Sequence, residues 1–74
     1  MENRVKKTIS EILDIEIDSI NDTTSSKTVE SWDSLKQMNI IVALEEEFEI
    51  ELSDDDIDAM TNIGNIIKIV KSVL

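Results

Sequence analysis

The chain has 74 residues with no cysteine, no histidine and no proline, and 41% of it is apolar. That length allows a single domain, 1–74, which hides only about 60% of the surface its unfolded chain would expose, so the core is small. The missing side chains exclude a disulfide framework, a thiolate metal site and any Ser-His or Cys-His pair, and a net charge of −10 argues against nucleic-acid phosphate or anionic lipid as a partner.

The charge is uneven. Residues 33–58 hold ten acids against one base, Lys36, a middle segment suited to basic protein surfaces. The N-terminal "MENRVKKTIS" has no apolar core behind its basic residues, so it does not read as a signal peptide. No apolar run approaches the roughly 20 residues that span a bilayer, and the expectation is a cytoplasmic monomer without membrane insertion.

Val5, Ile9, Ile12 and Leu13 recur at the spacing of one helical face and predict a first helix over 2–14. Ser, Thr, Asn and Asp then crowd residues 18–28, where their side chains compete for backbone hydrogen bonds and favour turns. Ile15 and Ile17 alternate, but no second strand exists to pair with them. A long loop is expected instead, tucking Ile15, Ile17 and Ile20 against helices.

A second helix is predicted over 34–48, with Leu35, Met38, Ile41, Val42 and Phe48 marking its buried side and Ile40 and Leu44 widening the stripe. Ser53 is placed to cap a short third helix whose first turn holds Asp54, Asp55 and Asp56, where the helix dipole favours acids. Ile63, Ile66, Ile67, Val70, Val73 and Leu74 predict a fourth helix, capped near Thr61 or Asn62. The fold class is all-α: a small four-helix bundle of three longer helices and one short one, with a long loop between the first and second.

Ser34 has two compatible readings. In "SLKQ" it can open a capping box with Gln37, although Asp33 is an equally good cap. A serine at an exposed helix start beside an acid is also open to modification. A catalytic role is poorly served, because a serine nucleophile needs a base and only Lys36 or a carboxylate is at hand. A calcium loop starting at Asp54 would find Asp56 and Asp58 in place, but Ala59 and Asn65 stand where glycine and a bidentate Glu belong. No metal is expected. Trp32 and Phe48 read as core, and Gly64 as a point of close approach by another element.

These residues resemble the acyl carrier protein family. "DSL" opens a helix, "MNIIVALEEEFEIEL" follows, and then come an acidic short helix and a final amphipathic one. The resemblance covers essentially the whole chain and is most specific over 33–63, in Asp33-Ser34-Leu35, the "ALEEEF" of 43–48, Leu52 and the "SDDDI" opening. It implies a non-catalytic carrier whose Ser34, flanked by Asp33 and Leu35, receives 4′-phosphopantetheine from coenzyme A through a phosphopantetheinyl transferase. The arm's thiol would hold acyl intermediates as thioesters.

The implied partners are that transferase and acyl-loading, condensing or acyl-transfer enzymes with basic docking surfaces. The implied partner-facing residues on the second helix are Lys36, Met38, Asn39, Val42, Glu45 and Glu46, with Leu52 and Asp54 beside them. Lys36 and Asn39 stand where the housekeeping fatty-acid pattern usually has acids, and "WDSL" resembles stand-alone carriers of specialised pathways. Cargo stays open: an acyl chain could enter a cavity lined by Met38, Val42, Ile57, Met60 and Ile63, or a polar cargo could remain in solvent. An aminoacyl or D-alanyl carrier is an alternative, and an unmodified acidic helical adaptor is a rival from another class.

Overall fold

The computed structural model describes residues 1–74 as four α-helices and one short 3-10 turn. Helix α1 spans Glu2–Leu13, α2 Ser34–Phe48, α3 Asp54–Ala59 and α4 Ile63–Val73, with the 3-10 turn at Ile17–Ser19. Helix α1 packs against α2 and α4, and α3 against α4. One core joins them. From α1 it takes Val5, Ile9 and Leu13; from α2 Ile40, Ile41 and Leu44; from α4 Ile63, Ile66, Ile67 and Val70. These positions follow the three-and-four spacing that puts apolar side chains on one side of a helix.

Helix ends are fixed by named side chains. Asp33 caps α2, Asn62 caps α4 through the Asn65 N–H, and Ser53 and Asp56 form a reciprocal capping box on α3. Both α1 and α2 stop at an acidic residue in the left-handed region, Asp14 (φ 55°) and Glu49 (φ 53°). The following N–H of Ile15 donates to Ser10 O, and that of Ile50 to Glu45 O. This wrap satisfies carbonyls that the helix end leaves open, and glycine usually occupies the left-handed position.

The long loop is a working part of the core. Its carbonyls of Thr24 and Asp22 accept from the N–H groups of Ile63 and Gly64, each at 2.9 Å, and so complete the start of α4. A Cβ on Gly64 would stand 3.2 Å from Asp22 O, which explains the small residue there. Ile20 is buried and Ile15 packs against the core, as expected. Ile17 does not: the 3-10 turn swings it out, and it is 39% exposed.

Helix α2 departs from its expected burial. Ile40, Ile41 and Leu44 face inward, whereas Leu35, Met38 and Val42 are 69%, 54% and 48% exposed. Apolar residues lie almost all round this helix, so periodicity alone does not select the inner side. The fit against α1 selects it. At the far end of α2, Phe48 is half-buried, with the Arg4 guanidinium 4.7 Å over its ring and bonded to Glu47 at 3.0 Å.

Replacing Glu49 with glycine removes a Cβ from left-handed backbone, a strain of about 1–2 kcal/mol, and adds a glycine entropy cost of about 0.5–1 kcal/mol. Glu49→Gly is therefore expected to stabilise the fold by up to about 1 kcal/mol in urea unfolding, and a loss of stability would mean that Glu49 holds a contact stronger than that strain.

Candidate functional site

The start of α2 is built from the loop that precedes it. The Ser31 hydroxyl donates to Leu13 O at 3.0 Å, tying the loop's end to the last turn of α1. Trp32 is 4% exposed and donates from Nε1 to Gln37 Oε1 at 2.6 Å. Gln37 Nε2 in turn donates to Met60 O at 3.3 Å, so one side chain bridges the loop, α2 and the end of α3. These anchors leave Asp33 as the cap, with its Oδ1 accepting the Lys36 N–H at 2.9 Å.

Ser34 is then the first residue of α2, exposed and one step past the cap. The capping box expected from "SLKQ" does not form, because the cap is one residue earlier and Gln37 turns inward to Trp32. The Ser34 hydroxyl is consequently not committed to the backbone. An open groove beside it is lined by Trp32, Gln37, Met38, Ile57 and Met60 and by the loop residues Thr23, Ser25, Ser26 and Lys27. Of the cavity residues expected from sequence, Met38, Ile57 and Met60 line this groove. Val42 lies outside it on the surface, and Ile63 is sealed in the core.

The other implied residues fall into two groups. Leu35, Met38, Asn39, Val42 and Glu46 are exposed and share one side of α2 at three- and four-residue spacing, with Asp54 exposed at the start of α3. Lys36 and Glu45 are partly buried, and Glu45 Oε2 accepts the Leu52 N–H at 3.0 Å. Leu52 is 7% exposed and packs in the core, so it shapes the surface from beneath. Gln37 was missed in the sequence. Its signal is a polar residue three and four positions before Ile40 and Ile41, on the inner stripe, with a tryptophan five residues earlier.

No group of acids in the structure is arranged to hold a metal ion, and no helix is long and apolar enough to cross a membrane. An exposed, uncommitted serine at the positive end of a 15-residue helix suits a phosphodiester: the hydroxyl can form the ester, and the helix dipole favours the negative charge.

Comparison with known proteins gives the family. A family model for the phosphopantetheine attachment site matches residues 3–70. The acyl carrier protein of Buchnera aphidicola subsp. Schizaphis graminum (strain Sg) is 40% identical over 63 residues, covering 85% of this chain and 80% of that protein. The acyl carrier protein of Sulfurovum sp. (strain NBC37-1) is 37% identical over 71 residues, covering 93% and 92%. The solution structure of a holo acyl carrier protein from Geobacter metallireducens superposes with a TM-score of 0.87 at 24% identity, over 97% of this chain and 83% of that one, and shares the fold. The chain belongs to the acyl carrier protein family. It is a carrier rather than a catalyst, its prosthetic group is 4′-phosphopantetheine, and the unmodified-adaptor and aminoacyl alternatives are not favoured.

The geometry separates two substitutions. Asp33→Ala removes the cap and is expected to cost about 1 kcal/mol in urea unfolding, whereas Ser34→Ala, outside the cap, is expected to change stability by less than about 0.5 kcal/mol. Equal losses would show that the serine does structural work.

Proposed function

We propose that Ser34 is the residue that bears the phosphopantetheine arm and that the exposed side of α2 presents it to partner enzymes. The observation that carries this reading is the displacement of the cap to Asp33, which leaves the Ser34 hydroxyl free and exposed at the head of α2. Within a transferase, the Ser34 oxygen attacks the β-phosphate of coenzyme A. A new oxygen–phosphorus bond forms, the pyrophosphate bond breaks, and adenosine 3′,5′-bisphosphate leaves. The serine proton passes to a base of the transferase. Once attached, the arm supplies a thiol that holds acyl groups as thioesters.

Docking on this reading uses the apolar patch of Leu35, Met38 and Val42 with Lys36, Asn39 and Glu46 on the same helix, and the exposed Asp54 at the start of α3. Such a patch offers area for desolvation, while the surrounding charge speeds encounter with basic surfaces and sets orientation. The partners are the phosphopantetheinyl transferase and acyl-loading, condensing or acyl-transfer enzymes. The carrier meets them as a monomer, and the cytoplasm, where coenzyme A is at hand, is its place of work.

Incubation with coenzyme A, magnesium and a broad-specificity phosphopantetheinyl transferase is expected to add one arm to the parent protein, read by intact mass, and none to Ser34→Ala. An arm retained by the Ser34→Ala variant would move the attachment to another hydroxyl. Glu46→Lys is expected to slow association with a basic partner enzyme, more at about 0.01 M salt than at 1 M, where screening is nearly complete. A rate unchanged at low salt would reduce Glu46 to a solvated residue.

A further inference from the structure

We propose that Gln37 is a specificity-determining gate: it keeps cargo in the polar groove beside Ser34 and favours short acyl groups bearing hydroxyl or keto oxygens over alkyl chains. The inference rests on Ser34 being the attachment residue. Gln37 occupies the first position of the inner stripe of α2 that continues through Ile40, Ile41 and Leu44. There it accepts from Trp32 Nε1 at 2.6 Å and donates to Met60 O at 3.3 Å. The Met60 bond spans from α2 to the end of α3, and the Trp32 bond ties Gln37 to the loop before α2, so the two together brace the groove that Ser34 also lines.

The surroundings make this bridge costly to open. Trp32 and Met60 are 4% and 2% exposed, and Ile40, Ile63 and Ile66 are fully buried in the same cluster. An alkyl chain that parts the bridge breaks both bonds, and the indole N–H and the Met60 carbonyl must then find new partners. A cargo that stays outside meets different chemistry. Ser34, Trp32, Gln37 and Met60 line one groove with Ser25, Ser26, Lys27, Thr61 and Asn62, and the carboxylates of Asp33 and Asp58 line it too. Hydroxyl, amide and ammonium groups there can donate to oxygens on an acyl chain, and a site built to hydrogen-bond its ligand discriminates against analogues lacking those oxygens.

The test loads the arm directly, using octanoyl-coenzyme A or 3-hydroxybutanoyl-coenzyme A as the transferase substrate, on the parent and on Gln37→Ala, with loading confirmed by intact mass. In the parent, the octanoyl form is expected to keep the Ile63 and Ile66 methyl resonances and the melting temperature of the holo form. The hydroxybutanoyl form is expected to shift the amide resonances of Ser25, Thr61 and Asn62. In Gln37→Ala, the octanoyl form is expected to shift the Ile63 and Ile66 methyls and to melt about 4 °C or more above that variant's own holo form. Because each loaded form is compared with its own holo form, a general loss of stability in the variant does not mimic the result.

Octanoyl loading that moves the Ile63 and Ile66 methyls of the parent overturns the gate, as does a hydroxybutanoyl form that leaves the groove amides unmoved. A Gln37→Ala octanoyl form that behaves like the parent's also removes Gln37 from the role. Should the variant fail to fold, Gln37→Met, which removes both hydrogen bonds and keeps the length of the side chain, takes its place in the same comparison. Loading that fails altogether sinks the attachment at Ser34 and the gate with it, an outcome distinct from a loaded protein whose chain enters the core.

Discussion

Burial of the Trp32 indole fixes where this chain can place a helix start, and with it the exposed serine. An indole removed from water contributes more apolar burial than any other side chain here, but its N–H must then find an acceptor. Gln37 supplies one from a turn further along α2, so the helix has to begin in time for Gln37 to face inward. With Trp32 and Ser31 both tied down, Asp33 falls at the cap and Ser34 at the first helical position. A one-residue slip would move the indole, its acceptor and the serine together. The local register of the site is therefore set by a packing contact and its hydrogen bond.

The acidic middle segment divides between structure and surface. Asp33, Glu45, Glu47 and Asp56 each accept a hydrogen bond from elsewhere in the chain, at the Lys36 N–H, the Leu52 N–H, Arg4 and the Ser53 N–H respectively. Two of these complete helix caps, one fastens the turn that follows α2, and one joins α1 to α2. In a chain with no proline and one glycine, such side chains take over the work of stopping and starting helices. Glu46, Asp54, Asp55 and Asp58 remain exposed, and their mutual repulsion weakens a compact state that is already small. Nothing in the packing requires them, so their effect is felt in the field the protein presents to other surfaces.

The helices, their order and the cap at Ser53 are legible in sequence because those features are local: spacing, a polar cap and the dipole act within one or two turns. The choice of Asp33 over Ser34 and of Asn62 over Thr61 is made by the fold. What the sequence withholds is the choice between equally apolar sides. Helix α2 carries Leu35, Met38, Ile40, Ile41, Val42 and Leu44, and only contact with α1 tells that three of these are buried and three are not. The place of Ile17 depends on a 3-10 turn formed among hydroxyl and amide side chains whose competing bonds periodicity does not weigh. Ser34 itself is visible through a family motif, while its freedom from capping is a matter of one residue in the helix start. Gln37 is harder still. A glutamine in a helix reads as surface until the tryptophan and carbonyl it joins are brought from 5 residues before and 23 residues after it.

The exposed side of α2 is where stability and use pull apart. Leu35 at 69% exposure, Met38 at 54% and Val42 at 48% form a continuous apolar strip, and in a domain this small the same residues turned inward would enlarge a limited core. Isolated apolar residues on a surface need no explanation, but three aligned on one helix side and leading from a free serine do. On the proposal that Ser34 bears the arm, what happens at the hydroxyl or at its cargo falls to the partner's active site. On the same proposal, the surface around that point decides which active sites come close. Leaving the strip outside obliges the remaining stability to come from the inner stripe, the caps and the loop that closes over α4.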